Sequence, residues 1–251
     1  MRSRQINKII IWITIMSVLV AITAAYFYFM PIGGKPSNFE LAVAKRKQVS
    51  TQNYPVWGLD ISHHNGKVDW SKVIVTKPNF IFIKATEGIT VSDREYDSNW
   101  VYLKKHNITR GAYHFFSYKS TGLLQAKFFI ARAKLTKGDL PPVLDVEFAR
   151  KMPAPKKVTR EILNWIDAVE KHYKVKPIIY CPMRFYKKYL NGKLGKDYPL
   201  WICDYRGVPD TKAQWHFWQH TDSFKIPGIN FLFDRNVYRY DSITFKKLLI
   251  K

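Results

Sequence analysis

From Tyr54 to the C-terminus, short apolar runs of strand type alternate with stretches of helical period, and no other feature of the chain narrows the fold as much. Runs rich in β-branched and aromatic residues predict strands at Val56–Ser62, Phe80–Ala85, Arg110–Phe115, Val143–Glu147, Pro177–Tyr180, Leu200–Cys203, Trp215–His220 and Leu232–Val237. Helices fit between them at Asp69–Val75, Asp93–His106, Thr121–Leu135, Thr159–Tyr173 and Met183–Leu190, with a last one near Ile243–Ile250. Thr159 reads as a helix cap, because Ile162, Ile166, Val169 and Tyr173 follow it at helical spacing. Eight strands with intervening helices predict an α/β fold: a single closed TIM-like barrel over residues 54–251, with its chemistry at the C-terminal ends of the strands. The later strands are separated by segments too short for full crossover helices, so the second half is expected to depart from the regular pattern.

Ahead of this region, Arg2, Arg4 and Lys8 precede an uncharged run of 22 residues, Ile9–Met30. At about 1.5 Å per residue a helix of that length spans a bilayer. Positive charge on its short N-terminal side predicts residues 1–8 in the cytoplasm and the remainder outside it, periplasmic or extracellular. A cleaved signal peptide, which would release a secreted protein, is the competing reading. The run exceeds the usual apolar core of about 7–15 residues in such peptides, which favours an uncleaved transmembrane anchor over 9–30. Residues 31–53 carry Pro31, Gly33, Gly34, Pro36 and the triplet Lys45-Arg46-Lys47 without an apolar period, and read as a membrane-proximal linker.

The formal net charge of +22 calls for an anionic partner: a wall polymer, a membrane surface or nucleic acid. The basic residues are scattered, with no zinc-finger spacing and no basic helical repeat, which argues against nucleic acid. Cys181 and Cys203 are too few for a disulfide framework. Each ends a predicted strand, so they read either as a bridge between neighbours or as two packed thiols. His63 and His64 are adjacent, hence on opposite faces of a strand, and lack a third ligand at metal-site spacing. No Ser-His-Asp order or Gly-rich phosphate loop is present.

The stretch Leu140-Pro141-Pro142-Val143-Leu144-Asp145-Val146-Glu147 enters a buried strand through two prolines. Side chains two apart on a strand share a face, so Asp145 and Glu147 project together while Val146 points away. Neighbouring carboxylates raise one another's pKa, leaving one as proton donor, which suits acid-assisted cleavage of a glycosidic bond. The same pair reads equally as a loop that caps a helix or binds a cation. Asp60, Glu87 and Asp234 fall at the ends of the first, second and eighth predicted strands, so these acids are expected around one pocket. Tyr113, Tyr180, Trp201 and Trp218 sit at strand ends, where they either line sugar subsites or fill the core. Arg235 reads as a partner of Asp234 or of substrate carboxylates, and His114 as a structural hydrogen-bonding residue.

Six segments in order carry a resemblance: Gly58-Leu59-Asp60-Ile61-Ser62-His63-His64-Asn65-Gly66, Lys84-Ala85-Thr86-Glu87-Gly88, Gly111-Ala112-Tyr113-His114-Phe115-Phe116, Asp145-Val146-Glu147, Trp218-Gln219 and Asp234-Arg235-Asn236. Over Tyr54–Asp241 the chain resembles the glycoside hydrolase family 25 lysozymes, the Chalaropsis-type muramidases. The resemblance implies a modified β/α barrel that acts on the glycan strands of peptidoglycan, at the β-1,4 bond between N-acetylmuramic acid and N-acetylglucosamine, and implies no metal or organic cofactor. It matches Glu147 to the general acid, and Asp145, Asp60 and Asp234 to companion acids. Gln219 is expected at the substrate site, and Glu87 reads either as a hydrogen-bonding subsite residue or as a buried acid paired with Lys84 or Arg110. The chain departs from the family in having His220 where many relatives have Tyr, and Cys181 and Cys203 where other small residues are usual. From the residues, Glu147 has the reach for the acid, with Asp145 ionised beside it. Three routes to the anomeric carbon stay open: a carboxylate nucleophile, an inverting water, and the 2-acetamido oxygen that an N-acetylated sugar itself brings, the last being the expectation, with Asp145 or Asp234 assisting and net retention. A non-catalytic wall-binding barrel, and a glycosidase for another N-acetylated polymer, are the alternatives.

Overall fold

The computed structural model describes residues 50–210 and 214–251. The anchor expected over 9–30, and the linker up to residue 49, lie outside the described residues. Among the described residues no helix is long and apolar enough to cross a membrane. The strands are β1 (Trp57–Ile61), β2 (Phe80–Glu87), β3 (Val91–Ser92), β4 (Thr109–Phe115), β5 (Val143–Asp145), β6 (Ile178–Pro182), β7 (Leu200–Cys203), β8 (Trp215–Phe224) and β9 (Phe233–Tyr238). The helices are α1 (Trp70–Val75), α2 (Tyr96–Lys105), α3 (Gly122–Ala133), α4 (Pro155–Tyr173), α5 (Met183–Phe185), which runs on as a π-helical turn over Tyr186–Leu190, and α6 (Ser242–Lys247).

Pairing runs β1-β2-β4-β5-β6-β7-β8-β9 and returns to β1, which closes an eight-stranded barrel, while β3 hangs on β2 as a short hairpin that the sequence did not signal. All ring neighbours are parallel except β9, which is antiparallel to both β8 and β1. Only residues 225–232 join β8 to β9, enough for a hairpin but not for the dozen or more residues of a crossover. The expected irregularity therefore takes the form of a reversed last strand. Its N-terminal end lies at the mouth where the parallel strands end, and Asp234 pairs directly with Asp60.

Alternation along the strands divides the core in two. Phe80, Phe82, Val143, Ile178, Trp201, Phe217 and Tyr238 fill the barrel. Leu59, Ile81, Ile83, Leu144, Ile179 and Trp218 face outward, against helix residues such as Phe129, Ile162 and Trp165. At about 1.5–3 kcal/mol for each large apolar side chain buried, these layers are the main stabilising contribution. The interior aromatics need room: a Cβ on Gly58 would lie 2.3 Å from the Phe80 carbonyl oxygen, and one on Gly111 2.6 Å from the Phe82 ring.

The helix expected from Thr159 begins one turn earlier, with Pro155 in its first turn, where a missing N–H costs nothing. Thr159 is buried inside the helix, not at its cap, and its hydroxyl donates to the Tyr189 carbonyl at 3.0 Å.

Candidate active site

Strand ends deliver the chemistry to one place. A cavity of about 400 Å³ is lined by Asp60 from β1, Lys84 and Glu87 from β2, Tyr113 and Phe115 from β4, and Asp145 and Glu147 from β5 and just beyond it. Tyr180 from β6, Trp201 from β7, Gln219 from β8 and Asp234 from β9 also line it, with Ser62, His64 and Asn65 after β1 and Tyr205 after β7. All four expected catalytic acids and five of the six expected binding residues thus share one pocket.

Trp218 does not join them. It is fully buried on the outer face of β8, and its indole N–H donates to the Asp204 carbonyl at 2.8 Å. Phe217 and Gln219 point inward, so the residue between them points out, and strand alternation corrects the expectation for Trp218. The same rule separates Arg235 from Asp234. The guanidinium lies over the rings of Trp57 at 4.6 Å and Phe224 at 4.8 Å. Cys181 and Cys203 are both free, on adjacent strands, with Cys181 in the outer core and Cys203 against the inner one. His63 Nδ1 meets Asp93 Oδ2 at 2.7 Å, and among the described residues no three His, Cys, Asp or Glu are grouped to hold a metal ion. His114 is buried between Thr86 and Gln125 and stacks on Trp165, and burial depresses its pKa to about 4.

The acids differ in what surrounds them. Asp60 Oδ2 accepts hydrogen bonds from Asn236 Nδ2 at 2.7 Å and Gln219 Nε2 at 3.1 Å. Both carboxamides are held in turn: Tyr180 and Tyr205 hydroxyls donate to Gln219 Oε1 at 2.8 and 3.0 Å, and Trp201 Nε1 to Asn236 Oδ1 at 2.8 Å. Burial raises the Asp60 pKa, the two carboxamides oppose it, and it settles at about 6. Asp234 lacks such support, and burial with Asp60 nearby pushes it to about 8.

Asp145 Oδ1 is buried and has no hydrogen-bond partner. Burial first, then repulsion from Glu147 and Asp60, drives its pKa well above the ordinary value. Asp145 is thereby shifted toward its protonated form, where the sequence reading expected it ionised; repulsion is visible in an Asp-Val-Glu spacing, but burial without a donor is not. Burial also raises Glu147, against the pull of the Tyr180 hydroxyl and Lys84. Lys84 Nζ sits 2.7 Å from Glu87 Oε2, with its own side chain buried.

Sequence reasoning missed Asn236 and Tyr205, and gave Lys84 only an alternative role as partner of Glu87. Asn236 had a signal, since it lies two residues from Asp234 on one strand and so shares its face. Tyr205, on the loop after β7, had none. Chemically, the pocket offers an uncharged carboxyl on its wall as proton donor and, at Asp60, a supported carboxylate that stabilises positive charge opposite it.

The model of the family described as glycosyl hydrolases family 25 matches residues 59–229, a span that contains Asp60, Asp145 and Glu147 but ends before Asp234. The uncharacterised protein YegX of Escherichia coli K12 is 37% identical over 193 residues, which cover 74% of this chain and 70% of that one. Lysozyme M1 of Streptomyces globisporus is 30% identical over 199 residues, covering 73% and 67%. Among solved structures, a family 25 glycosyl hydrolase from Bacillus anthracis superposes with a TM-score of 0.74 at 33% identity, over 79% of this chain and 95% of that one. Barrel, reversed last strand, acid-lined mouth and sequence kinship agree, and the chain belongs to glycosyl hydrolases family 25.

Proposed function

We propose that this chain is a muramidase that hydrolyses the β-1,4 bond between N-acetylmuramic acid and N-acetylglucosamine in peptidoglycan. The observation that carries the reading is the convergence of Asp60, Asp145, Glu147 and Asp234 on one pocket, with Glu147 raised toward its neutral form. The names lysozyme and muramidase among the relatives support the substrate. Glu147 gives its proton to the leaving oxygen as the glycosidic bond breaks, and the substrate's 2-acetamido oxygen attacks the anomeric carbon. The carbonyl oxygen of the Asp145 or Asp234 carboxyl accepts the acetamide N–H and aims the acetamido oxygen. The ionised Asp60 stabilises the positive charge that develops. Water then opens the cyclic intermediate, with Glu147 taking back a proton, and the product keeps its anomeric configuration. Mass spectrometry of fragments from purified peptidoglycan is expected to find reducing-end muramic acid. Reducing-end glucosamine, anhydro ends, or an inverted anomer in early-time NMR would each overturn part of this account.

The uncharged run 9–30, with basic residues before it, supports an anchored arrangement: residues 1–8 cytoplasmic, 31–53 a tether, and the barrel from 54 outside the cytoplasm. Protease added to intact spheroplasts is expected to digest the barrel; protection of the barrel would reverse the orientation.

A further inference from the structure

A second groove of about 700 Å³ opens directly from the catalytic pocket, sharing Glu87, Phe115 and Glu147 with it. Its walls are the loop after β4 and the loop after β5, tied together by the Tyr118 hydroxyl, which donates to the Glu147 carbonyl at 2.8 Å, and by the Phe116 N–H on the Asp145 carbonyl at 2.9 Å. Phe116, Phe148 and Met152 give it an apolar lining, and Phe148 is 44% exposed although it follows the catalytic acid directly.

Charge along the groove is graded. Glu87 and Glu147 are its only acids, both at the catalytic end, and Lys84 neutralises Glu87. Farther out, Lys119, Arg150 and Lys151 line it, all exposed and in no ion pair among the described residues. Lys188 adds a fourth cation, 6.0 Å from the Phe148 ring. A neutral glycan would use none of these cations.

We infer that this groove is a subsite for the acidic peptide that muramic acid carries in peptidoglycan, so that the enzyme reads the peptide as well as the glycan. The inference rests on the muramidase reading. That peptide is short, with methyl side chains suited to the Phe116, Phe148 and Met152 surface and free carboxylates suited to the cationic rim. Its attachment to a sugar beside the scissile bond puts it within reach of a groove that begins at Glu147. Exposed charge pairs contribute little singly, but three reversed together are expected to weaken binding about tenfold.

The test compares the protein with its K119E/R150E/K151E variant on soluble, uncrosslinked glycan strands bearing their peptides, and on the same strands stripped by an amidase, with the lactyl carboxylates so exposed capped as methyl amides. The variant is expected to show KM raised about tenfold on the peptide-bearing strands, with kcat within about twofold, and unchanged constants on the stripped strands. An equal rise on both substrates, or a rise on neither, overturns the subsite. Calorimetric titration with the free muramyl peptide is expected to detect binding to the parent protein and a Kd about tenfold weaker in the variant; no difference overturns the proposal independently of turnover. Failure of the parent protein to cleave either strand would refute the muramidase reading instead, and the titration would still decide the groove.

Discussion

Asp60 and Asp145 stand in the same pocket and are equally inaccessible, 9% and 8% exposed, yet their protons are held differently. Asp60 has two carboxamide donors fixed by Tyr180, Tyr205 and Trp201, and settles at about 6. Asp145 has a buried oxygen with no partner and is driven well above the ordinary value. With burial equal, hydrogen bonds to Asp60 on one side and repulsion from Glu147 and Asp60 on Asp145 on the other set the two carboxyls apart. Asp60, supported from β8 and β9, is thus the carboxyl placed to stand as an anion, while Asp145 and Glu147 on the β5 side are shifted toward the neutral form that can give protons.

If the β5 side supplies the proton, the largest effect comes from Glu147→Gln, which keeps shape and hydrogen-bonding capacity but cannot donate to the leaving oxygen. Its kcat for release of reducing ends is expected to fall by about 10²–10⁴ with an unchanged melting curve. Unchanged release would move the acid elsewhere, and would favour a wall-binding barrel without catalysis.

Next in size is Asn236→Leu, on the other side of the comparison. It removes the shorter of the two bonds to Asp60 and leaves Trp201 Nε1 without its acceptor. Denaturant unfolding is expected to show a loss of about 1–3 kcal/mol, the cost of stranding buried polar groups. Losing a donor raises the Asp60 pKa further, so the acidic limb of kcat/KM against pH should shift upward from about 6. A limb that stays in place would mean that Asp60 is not the ionised group the reaction uses.

Much of this was legible in the sequence. Helix and strand periods located the eight ring strands, and strand alternation put Asp145 with Glu147 on one face, as the pocket bears out. The direction of the last strand was not legible from period, because alternation is the same whichever way a strand runs; only the shortness of 225–232 hinted at it. Trp218 and Arg235 failed because a motif names residues without saying which of two neighbours faces inward. The support of Asp60 by Gln219 and Asn236 joins residues 159 and 176 positions away, a long-range fact that no local pattern records.

Asp145→Asn sharpens the comparison through stability. A carboxyl whose folded pKa lies above its unfolded value of 3.8 is fully stabilising only below that value, and the contribution is lost as pH rises through the folded pKa. Asparagine mimics the protonated acid at every pH. The variant should therefore match the parent near pH 4 and melt about 2–4 °C higher near pH 8. Equal melting at both would mean that a donor reaches Asp145 after all and that the two sides of the mouth are alike.

The smallest effect is expected from Tyr205→Phe. Gln219 Oε1 accepts two hydroxyls, from Tyr180 at 2.8 Å and from Tyr205 at 3.0 Å, so removing the second leaves the acceptor satisfied and the carboxamide still turned toward Asp60. The loss should stay near 0.5 kcal/mol, the low end for one hydrogen bond, with the acidic limb of the rate profile unmoved. The distinction from Asn236→Leu lies in distance from the charge: Asn236 donates to Asp60 itself, by the shorter of its two bonds, whereas Tyr205 acts at one remove and in duplicate. A shift of that limb as large as the one in Asn236→Leu would show that the Tyr205 loop, not the barrel wall, sets the charge of Asp60.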